Sequence, residues 1–172
     1  MICIVDQNNK IINIVNASYP TKANERIYYP WCSLWEQYTD AEPLWYAKQR
    51  KLHEVTQWTA SNITDGFVSE ASGEPVRYDS DKETQLTMQG IALNVETPLF
   101  AKKYPDGCPV RGIAEGKSGK EIFWLKSSQV MQWMADLSMH IGKCKQAGWV
   151  KQAEVEACKT AAEVEKIDLW TR

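Results

Sequence analysis

Residues 66–80 read GFVSEASGEPVRYDS, which is the pattern of a strand, a turn and a second strand. The strands are expected at Gly66–Val68 and Pro75–Asp79, with a polar, glycine-containing turn between them. Directly afterwards, Ser80 and Glu83 have the spacing of a capping box, in which the hydroxyl accepts from the N3 amide and the carboxylate accepts from the N-cap amide. The stretch therefore predicts a β-hairpin followed by a capped helix.

The capped helix is expected to run from about Asp81 to Val95, followed by a loop over residues 98–109. Its apolar residues suggest one buried stripe with two flanking positions. The expected stripe is Leu86, Gly90, Leu93 and Thr97, with Met88 and Ile91 beside it.

The same order of elements occurs again further along the chain. A second hairpin is expected over Val110–Ala114 and Ile122–Leu125, and Ser127 or Ser128 then begins the strongest helix, which Gly148 is expected to end. Trp133 and Leu137 should be buried because they occupy the centre of its apolar stripe. The whole stripe is Val130, Trp133, Met134, Leu137, Ile141 and Cys144.

The first part of the chain predicts a separate β unit. Ile2–Val5 and Ile11–Val15 are β-rich runs joined by a polar turn, and a further strand is expected at Ile27–Tyr29. Pro43 is suited to the first position of a helix that reaches about Trp58. One or two short helices are expected over 150–167, with a break near Thr160.

Together these elements predict an α+β protein with antiparallel sheets, because hairpins alternate with helices. Three regions are expected. They are a β-hairpin and aromatic-loop unit at 1–42, a connecting helix at 43–58 and an α+β domain at 59–172.

Composition narrows the possible partners and locations. The net charge of −2 lacks the basic excess that binding a nucleic-acid backbone needs. No apolar run approaches the length of a membrane span, and the N-terminus has no basic region of a signal peptide. The five cysteines are odd in number and contain no C-x-x-C pair, which favours reduced thiols. We therefore expect a soluble protein made in the cytoplasm, with no nucleic acid or membrane as partner.

Gly112-x-x-x-Gly116-Lys117-Ser118 resembles a phosphate-binding loop at first sight. Such a loop needs four residues between its glycines and a preceding parallel strand, whereas here there are three and the glycines fall in the second hairpin. An ordinary hairpin is the favoured interpretation.

Three other groups could carry chemistry, but each has a simpler explanation. His140 and Cys144 lie one helical turn apart, but two ligands do not make a metal site, and packing in the core is favoured. The acidic residues Asp79, Asp81 and Glu83 are explained by the dipole at a helix start. Ser127 and Ser128 have no histidine partner that the sequence identifies. We expect no catalytic residue, no cofactor and no metal, and hence no enzyme.

The aromatic residues near the N-terminus are unusually dense. Seven Trp and Tyr rings fall between Tyr28 and Tyr46, more than the core of a small hairpin is expected to bury. Three interpretations remain open: a protein-docking face, a small satellite core below a long loop, and a platform for sugar binding. Trp31, Trp35 and Tyr38 should be highly exposed if the first is correct. The expected partner-binding residues are Tyr28, Tyr29, Trp31, Trp35 and Tyr38.

The second half of the chain resembles an uncharacterised domain found at the C-terminal end of tail-fibre and tail-assembly proteins of tailed phages and prophages. The resemblance covers about Ala47 to Ile167. It rests on the following segments: Gly66-Phe67, Tyr78-Asp79-Ser80, Gln85, Asp106-Gly107-Cys108-Pro109-Val110, Leu125–Val130 and His140-Ile141. The opening hairpin and aromatic loop are similar to the N-termini of phage tail-fibre assembly proteins.

The resemblance implies a structural or assembly role at a phage tail, without catalytic residues. The expected function is that of a chaperone-like assembly protein that binds a phage tail fibre protein in the host cytoplasm. The alternative is a component that stays in the virion tail, such as a baseplate accessory or receptor-binding protein, with other tail or baseplate proteins as partners.

Overall fold

The computed structural model describes residues 1–16, 20, 23–34 and 36–169. The chain divides into two compact units, one formed by 1–53 with 154–172 and the other by 54–153. Residues 154–172 cluster with the N-terminal unit, whereas the expected domains placed them with residues from 59 onward. The elements are β1 Ile2–Val5, β2 Ile11–Val15, β3 Glu25–Ile27, α1 Leu44–Thr64, β4 Phe67–Ser69, β5 Val76–Tyr78, α2 Lys82–Asn94, α3 Pro98–Lys103, β6 Cys108–Ala114, β7 Glu121–Leu125, α4 Ser127–Ala157 and α5 Ala161–Glu165.

The first unit contains a three-stranded antiparallel sheet in the order β2-β1-β3. The predicted hairpin is confirmed, and Asn9 adopts a left-handed conformation with φ 60° in its turn. The Asp6 carboxylate accepts from the amides of Asn8 at 2.8 Å and Lys10 at 2.9 Å, which closes that turn. The third strand spans Glu25–Ile27 and therefore begins two residues earlier than predicted. Its last residue, Ile27, pairs with Ile2, the first residue of β1, so the strand extends back from Ile27 along β1 to Glu25.

The second unit contains a four-stranded antiparallel sheet in the order β4-β5-β6-β7, so the predicted α+β class is confirmed. One side of this sheet and the helices α2 and α4 enclose the core. The predicted burial of Trp133 and Leu137 is also confirmed. Buried members of this core include Phe67, Val76, Tyr78, Met88, Val110, Leu125, Val130, Trp133 and Leu137.

The predicted capping box at the start of α2 is wrong, because the serine has a different role. Asp81 is the N-cap, and its carboxylate accepts from the amide of Thr84 at 3.0 Å. The buried Ser80 hydroxyl instead accepts from the Gly66 amide at 2.9 Å and donates to the Ile63 carbonyl at 2.5 Å. The Ser80 hydroxyl therefore joins the segment before the β4–β5 hairpin to the segment after it.

The predicted facing of α2 is also wrong. Leu86 and Leu93 are 69% and 83% exposed, while Met88 and Val95 are buried. When a helix carries apolar residues on two nearly opposite sides, its sequence pattern alone does not show which side is buried. The Ser80 bridge and the Asp81 cap fix where the helix starts, and they turn the stripe that contains Met88 toward the core.

Two helix boundaries differ from expectation for local reasons. The expected loop over 98–109 contains α3, which Thr97 caps by accepting from the Phe100 amide at 3.2 Å. Helix α1 continues beyond Trp58 to Thr64, because no Gly or Pro interrupts it before Gly66, whose φ is 97°.

Gly148 does not end the long helix, which continues to Ala157. A Cβ atom built on Gly148 would lie 2.4 Å from Oγ1 of Thr59 in α1. Glycine is therefore required here by close helix packing rather than by a C-cap. The predicted break near Thr160 is confirmed, since its hydroxyl accepts from the Glu163 amide at 3.2 Å at the start of α5.

Among the described residues, no helix is long and apolar enough to cross a membrane.

Candidate protein-binding surfaces

The aromatic loop that follows β3 is held against the first hairpin by backbone hydrogen bonds. The Ile11 amide donates to the Glu36 carbonyl at 2.8 Å, and the Tyr38 amide donates to the Asn9 carbonyl at 2.9 Å. Lys10 and Gln37 also form an antiparallel bridge. The loop thus runs for a short distance beside the hairpin, which positions its rings.

The rings of this loop are partly buried. The structure brings together Tyr28, Tyr29, Trp31 and Tyr38, which pack against a small core of Cys3, Val5, Ile11 and Cys32. Trp35 lies outside the described residues. Trp31 and Tyr38 are half-buried rather than highly exposed, as the docking-face interpretation had required, because both rings also pack on the core below them. Both rings therefore belong in part to a satellite core.

Specific contacts fix the orientation of three rings. The Trp31 indole N–H donates to the Thr39 carbonyl at 3.1 Å, and the Tyr38 hydroxyl donates to the Ile27 carbonyl at 3.1 Å. Tyr29 stacks on Trp31 with ring centroids 4.9 Å apart and planes 3° apart. These contacts hold the three rings in defined orientations.

A wide groove of about 1160 Å³ opens beside two of these rings, Tyr29 and Tyr38. Ile12 and Ile27 also line it and are exposed. Tyr28 and Trp31 lie outside its lining. The remaining lining is mostly polar, with both signs of charge, from Asp6, Glu25, Arg26 and Asp40. We name these surroundings of Tyr29 and Tyr38 the N-terminal groove.

The sequence interpretation missed Ile12 and Ile27 as groove residues. The signal was present in the alternation of side chains along a strand, which places neighbouring residues on opposite faces. Ile11 is buried, so its neighbour Ile12 must point away from that core.

Burial shifts the pKa of a thiol and a phenol in the first unit. Burial, with a smaller contribution from a hydrogen bond with Cys32, raises the pKa of the Cys3 thiol to about 12. Burial also raises the pKa of Tyr38 to about 12, with a smaller contribution from Tyr29. Both groups are therefore neutral at physiological pH, and the Tyr38 hydroxyl keeps the proton that it donates to the Ile27 carbonyl.

In the second unit, His140 and Cys144 are neighbours on α4, with the sulfur 3.7 Å from Nε2 of the ring. The same nitrogen lies 3.1 Å from the Asn62 carbonyl oxygen, and the ring lies beside Phe67. Within the ranges that the structure describes, no three His, Cys, Asp or Glu side chains meet in a group that could hold a metal ion. These contacts explain the pair as packing.

The acidic residues at the start of α2 have structural partners. The Asp79 carboxylate accepts from Lys120 at 2.5 Å. Asp81 caps the helix, and its hydrogen bonds with Thr84 lower the pKa of its carboxyl group. Asp79 and Asp81 therefore both have structural roles at the start of this helix.

The glycines of the loop-like motif lie in the second hairpin, as predicted. Gly112 belongs to β6, and a Cβ atom there would lie 2.4 Å from Val76 Cγ1. Gly116 has φ 76° in the turn, and Lys117 forms an ion pair with Glu121 at 2.8 Å. The spacing therefore serves sheet packing and a turn.

No protein-family model matches the sequence, and no curated protein or solved structure is significantly similar to it. The resemblance to phage tail proteins therefore stays a prediction.

Proposed function

We propose that this protein has no enzymatic activity and works by binding another protein through the N-terminal groove. The observation that carries this proposal is the pair of immobilised, half-buried rings of Tyr29 and Tyr38 at an open groove. Tyr and Trp are enriched among residues that dominate binding energy at interfaces.

The fixed orientation of the rings would lower the cost of binding a partner. Ordering a side chain on association costs about 0.5–1.5 kcal/mol, and a ring that is already held avoids much of this cost. The Tyr38 hydroxyl is held by the Ile27 carbonyl, and Tyr29 is held by stacking on Trp31. A partner that covers the groove would also remove the exposed Ile12 and Ile27 side chains from water.

The resemblance stated above suggests the partner. We expect a phage tail fibre protein, with this chain acting as an assembly chaperone in the host cytoplasm. The alternative is a permanent component of the virion tail that contacts other tail or baseplate proteins. Mass spectrometry of purified virions distinguishes the two, because a transient chaperone should be absent from the particle.

The proposal is tested by co-expressing the chain with the tail fibre protein of the same phage or prophage, followed by affinity capture. Ile27→Glu places a charge in the groove at a position that is 53% exposed. We expect it to weaken binding by about 2 kcal/mol, or about thirtyfold, because an uncompensated charge would be buried against the partner. The melting temperature should change little.

Leu93→Glu is the matched control, since it makes the same apolar-to-acidic change at an exposed position of the other unit. It should leave capture unchanged. Equal capture by wild type and Ile27→Glu, at equal stability, would remove the groove as the binding site. Absence of capture by the wild-type chain would reject the tail fibre as partner.

A further inference from the structure

The four-stranded sheet of the second unit has one covered face and one open face. Successive residues of a strand point to opposite faces. The core residues occupy one set of alternating positions, and the intervening positions include several exposed apolar side chains. Val68 is 61% exposed, Ile122 59% and Trp124 55%. We name this surface the open sheet face.

The strand register gathers these side chains into one patch. Arg111 lies directly opposite Ile122, and Pro109 lies directly opposite Trp124. Residues that pair in this way have Cβ atoms about 5 Å apart. A second row crosses three strands, from Val68 through Arg77 to Ile113.

The charged residues of the open sheet face are all basic. The outward positions of these strands hold Arg77 and Arg111 and no acidic residue, in a chain whose net charge is −2. Arg77 forms an ion pair with Asp65 at 2.9 Å. Arg111 is exposed, and across the described ranges no carboxylate lies within ion-pair distance of it.

Three acidic residues border the same small cavity as Arg111, namely Asp79, Asp81 and Glu83. Asp79 is bound to Lys120 and Asp81 caps α2, and the ion pairs of the described residues include none between Glu83 and Arg111. The guanidinium of Arg111 therefore remains available for a carboxylate from another molecule. Arginine binds carboxylates in a fork geometry that adds specificity to the attraction.

We infer that the open sheet face binds a protein segment that carries acidic side chains next to apolar ones. The exposed apolar area of this face contributes to affinity. Trp124 and Arg111 are residue types typical of interface hot spots, and the positive charge of Arg111 favours a partner with negative charge. This inference uses none of the groove residues and holds whether or not the groove binds a tail fibre.

The surface fits a protein better than a nucleic acid. Single-stranded nucleic acids bind by stacking bases on several aromatic side chains in a strongly positive groove. In the four strands of this sheet, Trp124 is the aromatic residue at an outward position, and the outward residues Val68, Ile113 and Ile122 are aliphatic.

The test is a selection of displayed random dodecapeptides against the full chain, followed by affinity measurements on the enriched peptides. We expect enrichment of Asp and Glu beside Leu, Ile or Phe. Binding of these peptides should fall at least about tenfold in Trp124→Ala, and Arg111→Glu should select basic peptides instead. Leu93→Ser, which changes an exposed apolar residue on α2, should bind like wild type.

Several results would overturn the inference. These are the absence of any enriched peptide, enrichment without acidic residues, or undiminished binding to both Trp124→Ala and Arg111→Glu. Tighter binding of single-stranded RNA than of the selected peptides, with loss in the same variants, would assign the face to nucleic acid. Thermal melts establish that each variant is folded, and both positions are exposed, so their loss should not unfold the chain.

Discussion

Aromatic rings are used differently in the two units. In the unit of residues 54–153, Phe67, Tyr78 and Trp133 meet inside a large core, with the Tyr78 and Trp133 centroids 5.6 Å apart. In the N-terminal unit, rings such as Tyr29 and Tyr38 cover a small core and remain partly exposed. The difference indicates that a small core leaves the edges of its rings open to solvent, whereas the larger core encloses Phe67, Tyr78 and Trp133.

The largest expected difference in stability is between substitutions of a buried and an exposed tryptophan of the second unit. Trp133 is 4% exposed and Trp124 55% exposed. Trp133→Ala should lower the free energy of unfolding by about 3–5 kcal/mol, because it leaves a cavity in the core. Trp124→Ala should change it by about 0.5 kcal/mol or less. Urea unfolding of both variants checks this, and similar losses would contradict the assignment of faces to the sheet.

Substitution of Trp31 should lower the free energy of unfolding by an amount between these two values. Trp31 is partly buried, and its indole N–H bonds the Thr39 carbonyl. We expect Trp31→Ala to cost about 1–3 kcal/mol, since it removes packing and leaves a carbonyl without its donor. A loss of unfolding free energy as large as that of Trp133→Ala in the same urea experiment would contradict this expectation. It would show that the N-terminal rings form a core like that of the second unit.

The packing of α4 against α1 is tested by two glycines of the same helix. Gly148→Ala should destabilise the protein by about 1–3 kcal/mol, because the new Cβ would overlap Thr59. Gly142→Ala should stabilise it by up to about 1 kcal/mol, since nothing lies within 4 Å of a Cβ there and alanine favours a helix. Melting temperatures that move in the same direction for both variants would contradict the observed close approach.

The smallest effect is expected from alkaline pH. The folded state raises the pKa of Tyr38 from 10.0 to about 12, so the unfolded chain loses this proton first as pH rises. The contribution of Tyr38 to stability is therefore fully present below pH 10 and is lost as pH rises toward about 12. Tyr38→Phe keeps the ring but removes the proton, and it should make the urea midpoint less sensitive to pH in this range. An unchanged slope would show that Tyr38 is not protected by burial.

The fold was largely readable from the sequence because its elements have local signals. The N-terminal hairpin, the second hairpin and the stripe through Trp133 and Leu137 all follow from periodicity and turn residues. The facing of α2 and the role of Gly148 were not readable, because each depends on a residue distant in sequence. Ser80 meets Gly66 and Gly148 meets Thr59 only after folding.

The candidate site was readable in part. The density of rings from Tyr28 to Tyr38 identified the region, but composition does not show how far a ring is buried. Ile12 and Ile27 line the groove because of side-chain alternation along their strands and the pairing of those strands. The sequence interpretation used these rules to predict the strands but not to predict a binding surface. The open sheet face was missed because its residues come from four strands.

In the proposed function, the N-terminal groove binds the tail fibre protein and the large core supplies stability. Amide hydrogen exchange of the chain, with and without the co-expressed tail fibre protein, is the decisive measurement. We expect the fibre to slow exchange in residues 24–29 and 36–40 and to leave α2 unchanged. Protection confined to β6 and β7, with none around Tyr29 and Tyr38, would contradict the claim and place the fibre on the open sheet face.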